Sequence, residues 1–117
     1  MIRLNDHSQV LGIWFRSDGG MDVLAAAVVD PRNPELVIVS GRLRVYRDDK
    51  AFGSSDIKQP FTIGLPRLDR SVSAIASLLL ALVPDGDSFA FPGGTGAEAA
   101  AWLADQPFAH LKEMSVK

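Results

Sequence analysis

Two apolar runs joined by a compact turn signal constrain this chain more than any other feature. Val10-Leu-Gly-Ile-Trp-Phe15 is β-branched and aromatic, a second apolar run extends from Met21 to Val29, and Ser17-Asp-Gly-Gly20 lies between them. Asp-Gly in that position is a strong hairpin signal, because glycine supplies the positive φ that tight turns need. Strands are expected at about 10–16 and 21–30. Asp30-Pro-Arg-Asn-Pro34 then turns the chain and Glu35-Leu-Val-Ile-Val39 opens a third strand. The pattern predicts an antiparallel meander.

The third strand changes character along its length. Leu36 to Val39 is continuously apolar, Gly41 is placed to mark a bulge, and Arg42-Leu-Arg-Val-Tyr-Arg47 alternates with period two. The alternation points Leu43 and Val45 inward and Arg42, Arg44 and Tyr46 outward. From Asp48 to Gln59 the chain is polar, with Phe52 and Ile57 its only large apolar residues, and reads as a mobile loop. Pro60 and Pro66 bracket Phe61, Ile63 and Leu65, which suits a short edge strand since proline cannot donate within a ladder.

The periodicity predicts a helix over 69–83. Val72, Ile75, Ala76, Leu78, Leu79, Leu82 and Val83 form an apolar arc of roughly 160° at the helical repeat. Asp69 or Ser71 can cap its start, and Pro84-Asp-Gly86 ends it. Ser88-Phe-Ala-Phe91 reads as a short strand and Thr95 to Asp105 as a second helix. The tail from Phe108 to Lys117 fits either a last strand or a helical turn.

Length decides how many such units coexist. A 117-residue chain folds to a surface of about 6,200 Å² from about 18,000 Å² unfolded, enough burial for one core. A single domain over 1–117 is expected, of α+β class: an antiparallel meander sheet of four to five strands with two helices packed mainly on one face. The absence of cysteine excludes a disulfide framework, a thiolate nucleophile and a zinc site with sulfur ligands. The run from Val72 to Val83 is shorter than the ~20 apolar residues that cross a bilayer, and Met-Ile-Arg-Leu-Asn-Asp-His7 lacks the parts of a secretory signal. A soluble, cytoplasmic protein with no membrane partner is the expectation.

The most suggestive motif is Phe91-Pro-Gly-Gly-Thr-Gly96 ahead of an alanine-rich helix. A strand, a glycine turn and a helix start can aim backbone N–H groups at an anion, which makes Gly93, Gly94, Thr95 and Gly96 a candidate ligand or nucleotide site. The turn lacks the lysine and hydroxyl of a P-loop and the spacing of a dinucleotide fingerprint. Thr95-Gly-Ala-Glu98 has instead the spacing of a capping box, which would occupy the donors an anion needs. Arg42, Arg44 and Tyr46 could stack on and neutralise a nucleic-acid strand, yet Asp48 and Asp49 follow directly and a net charge of −2 offers no basic footprint. A nucleic-acid partner is therefore not expected.

No chemistry-bearing constellation emerges elsewhere. His7 and His110 lack metal-ligand spacing, Asp85-Gly-Asp87 lacks the remaining ligands of a calcium loop, and no serine sits in a nucleophile elbow. No metal, cofactor or catalytic residue is assigned, and a noncatalytic role is the expectation.

Between Ser71 and Pro84 there is no charged residue, although a surface helix ordinarily shows water a charged stripe. Either the alanine face of the second helix (Ala97, Ala100, Ala101, Ala104) covers the small-residue side of the first, or another chain does. The intramolecular cover is the expected one, and it leaves Leu80, Trp102 and Phe108 for a partner. The charge distribution agrees: residues 1–70 carry ten basic and nine acidic groups, whereas 71–111 carry four acidic groups and no basic one. The expected function is a small protein-association module, a regulator, adaptor or inhibitor, acting through its helical layer as a homodimer or on a protein partner. The rival is a small-ligand protein, enzymatic or not, using the turn from Gly93 to Gly96.

Overall fold

The computed structural model describes residues 3–18, 20–49, 53–67, 69–106 and 115–116. Along the chain lie β1 (Arg3–Leu4), β2 (Gln9–Ser17), β3 (Met21–Asp30), β4 (Asn33–Asp49), β5 (Gly53–Pro66), α1 (Asp69–Leu80), β6 (Asp87–Phe91), β7 (Gly94–Thr95), α2 (Gly96–Ala104) and β8 (Ser115–Val116). The main sheet has the order β5-β4-β3-β2-β6, every pairing antiparallel, with β7 also on β2. β1 and β8 form a separate parallel pair. The α+β reading with an antiparallel meander and two helices thus holds. The meander runs from β2 to β5, and α1 then returns the chain across the sheet so that β6 closes the opposite side.

The first hairpin forms where Asp-Gly places it. Asp18 N–H donates to Met21 C=O at 3.1 Å, and Asp18 Oδ1 accepts from the N–H groups of Gly20 and Met21, both at 2.8 Å. Those two backbone donors hold the Asp18 carboxyl below the ordinary aspartate value.

The described part of the segment expected to be a mobile loop, 48–49 and 53–59, is instead strand, and 50–52 lie outside the described residues. Asp48 and Asp49 end β4, and Gly53 to Gln59 begin β5, paired from Asp49↔Gly53 onward. β3 stops pairing at Met21↔Val45, so the last four pairs, from Tyr46↔Asp56 to Asp49↔Gly53, continue as a two-stranded ribbon beyond the sheet. The ribbon is held by the backbone ladder, which leaves no mark in hydropathy. At about 3.3 Å per residue, the 17 residues of β4 account for the longest dimension of the molecule, 50 Å.

Two further expectations change. Gly41 marks no bulge: it pairs with Ala25 and Phe61 in unbroken register, and it is glycine because a Cβ would run into the Leu24 carbonyl. The irregularities lie in β2, between Val10 and Gly12, and at the end of β3, between Val29 and Asp30. The expected facing in β4 also fails, because Arg42 is buried at 7% exposure with its Nη1 3.2 Å from Oδ1 of Asp22, itself 0% exposed. Leu24, opposite Arg42, and Arg44, opposite Asp22, make the ion pair a same-face diagonal.

The helices lie on opposite faces of the sheet, which corrects the expectation of one helical face. Ile13, Phe15, Leu24 and Ala26 form one core cluster with Ala99 and Leu103 of α2. Ala25, Ala27, Val37 and Val39 form the other, against which Val72, Ile75 and Leu79 of α1 pack. Leu24 and Ala26 alternate with Ala25 and Ala27 along one strand, so the clusters are separated by the sheet itself. β3 is buried on both sides for this reason: seven of its ten residues are buried. α1 ends at Leu80 and not at Val83; its last turn tightens, with Leu82 N–H donating to Leu79 C=O and Val83 N–H to Leu80 C=O.

Candidate association surface

With α2 on the far face, no helix among the described residues covers the outer side of α1. Ser73, Ala74, Ser77 and Ala81 are exposed, as are Leu78 at 66% and Leu82 at 50%. The intramolecular cover expected for this side does not form. The two leucines belong to the arc read from the sequence as buried, so the arc is wider than the sheet can cover. Only Val72, Ile75, Ala76, Leu79 and Val83 turn inward. Ile63 of β5, 39% exposed, stands on the same face of the sheet as α1, alternating with Phe61 and Leu65 of that cluster.

The C-terminal end of the helix takes its cation from the sheet. No basic residue occupies its last turn, but Arg16 Nη1 from β2 donates to Leu80 C=O at 3.0 Å. A guanidinium at a helix C-terminus favourably meets the dipole, and here it shares the Leu80 carbonyl with the Val83 N–H. Leu80 is half-buried at this junction, and Trp102 is half-buried against Phe91, ring centroids 5.9 Å apart. Both are partly spent on the fold. Phe108 lies outside the described residues.

The glycine turn is accounted for by its own backbone. Gly93 has φ 125° and Gly94 156°, angles that side chains rarely tolerate. The capping box is complete: Glu98 N–H donates to Thr95 Oγ1, and Thr95 N–H donates to Glu98 Oε1, both at 3.1 Å. Gly96 N–H donates to Ser8 C=O at 2.9 Å and Ala97 N–H to Asp6 C=O at 3.2 Å. The first-turn donors that would cradle a phosphate are therefore engaged within the chain. A hollow of about 380 Å³ borders the turn, with the Glu98 carboxylate among its lining groups.

The arginine face is divided in the same way. Arg42 is buried with Asp22 and Arg44 is half-buried, while the side chain of Tyr46 lies outside the described residues. Among the described residues no three potential metal-ligating side chains cluster, and no helix is long and apolar enough to cross a membrane. Comparison with family models, with curated proteins and with solved structures finds no match for this chain.

Proposed function

We propose that the protein is a noncatalytic association module whose docking surface is the outer face of α1, and that a second copy of the chain is the occupant this surface fits best. The observation that carries the reading is Leu78 and Leu82 standing exposed on a helix without a charge from Ser71 to Pro84. A two-fold contact through this face places no like charges together, and Ser73, Ala74, Ser77 and Ala81 let a second backbone come close.

Sedimentation velocity from low micromolar to near-millimolar concentration tests this directly. A concentration-dependent dimer, abolished by Leu78→Asp with the circular dichroism unchanged, supports the reading. A monomer throughout, with the α1 amides protected from hydrogen exchange, overturns it.

A further inference from the structure

The two edges of the main sheet are treated differently. Arg67 N–H donates to Glu35 C=O at 2.7 Å, which in the register Leu36↔Pro66 turns the odd-numbered residues of β5 toward β4. The backbone of the even-numbered ones then faces outward, and two of these are Pro60 and Pro66, which have no N–H to offer. Gln59 Nε2 further covers the Pro60 carbonyl at 3.5 Å. In this half of the β5 edge only Thr62 and Gly64 keep an outward N–H, with a proline on either side of them.

On the other side, Asp18 N–H bonded to Met21 C=O sets the alternation in β2, so that Trp14 and Arg16 bond toward β3 while Ile13 and Phe15 bond toward β6. Phe89 and Phe91 answer Phe15 and Ile13, which leaves the N–H and C=O groups of Ser88 and Ala90 pointing outward. Both residues are exposed and neither is proline or charged. Among the described residues no strand lies beyond β6.

Beside this open edge, on the α1 face, is a groove of about 390 Å³ lined by Leu11, Trp14, Val72, Ser73, Ala90 and Arg67. The indole of Trp14 lies over Gly12, where a Cβ would stand 2.6 Å from Cζ2. Its floor is apolar and Arg67 is the one charged liner among the described residues. A strand added to β6 would send alternate side chains to this face, next to Ala90 and into the groove.

We infer that β6 and this groove form a strand-addition site for an extended peptide segment, whose apolar side chain enters over Trp14 and whose neighbouring carboxylate meets Arg67. The site shares Ser73 with the outer face of α1 but not Leu78 or Leu82. The probe is an acetylated hexapeptide of alternating threonines with one leucine and a terminal aspartate, titrated into the full ¹⁵N-labelled chain. A second peptide is identical but N-methylated at alternate backbone nitrogens. The expected result is movement of the Ser88 and Ala90 amides and the Trp14 indole N–H, with little or none from the methylated peptide.

Ser88→Pro, which removes an outward N–H and spares the pairing to β2, is expected to abolish binding while the other resonances keep their positions. Arg67→Gln is expected to weaken binding severalfold and to remove most of its salt dependence. Leu78→Asp leaves the shifts in place, so the two surfaces stand or fall separately. Equal binding of the methylated peptide, shifts confined to α1, or no shift at Ser88 and Ala90 with any apolar residue at the leucine position would overturn the site.

Discussion

The two helices share one sheet and differ in how completely the fold uses them. α2 is nine residues long, and its first-turn N–H groups all have partners within the chain. Ala99 and Leu103 are buried, and Trp102 leans on Phe91. α1 is longer at 12 residues, seats one side on the sheet, takes the charge at its C-terminus from Arg16, and leaves two leucines in water. An alanine-rich helix with a complete cap can be closed by a small sheet. A leucine-rich helix with no charge after Arg70 is seated on one side only, which leaves Leu78 and Leu82 exposed.

Substitutions on the two sides should therefore part company, and the largest effect falls on the α2 face. Arg42→Ala takes the cation away from a fully buried carboxylate and is expected to cost about 3–5 kcal/mol by urea denaturation. Leu103→Ala, on the buried side of α2, should cost about 2–4 kcal/mol, whereas Leu78→Ala should leave monomer stability within ~0.5 kcal/mol. Equal costs for the two leucines would erase the contrast between the helices. Thr95→Ala removes the hydroxyl of the capping box and should cost about 1 kcal/mol, with no loss of association.

The smallest effect concerns the hairpin under both helices. The Asp18 carboxyl is held below its ordinary value by the N–H groups of Gly20 and Met21, so its contribution is full above the unfolded value of 3.8 and is lost as pH falls through the folded one. Asp18→Asn should flatten that acid limb of the stability profile and leave neutral-pH association untouched.

Local chemistry was readable in the sequence wherever neighbouring residues carry it. Asp18-Gly-Gly20 announces its turn and Thr95 with Glu98 announces its cap, because the donors and acceptors lie within three positions. The ribbon from Tyr46 to Asp56 was hidden, since ladder hydrogen bonds need no particular side chain. Arg42 was misplaced because its partner, Asp22, is 20 positions away. Periodicity showed that α1 is amphipathic but not which face of the sheet it would take. The placement of α2 on the opposite face left Ser73, Ala74, Ser77 and Ala81 uncovered, and the limited reach of the sheet left Leu78 and Leu82 exposed. Their signal was present as the breadth of the apolar arc, too wide for one contact.

The outer face of α1 is the centre of this account, and sedimentation velocity of the unmodified chain beside Leu78→Asp tests it most directly. The account predicts a dimer that grows with concentration in the first and a stable monomer in the second. A monomer in both, at near-millimolar concentration and with α1 protected from exchange, would contradict it.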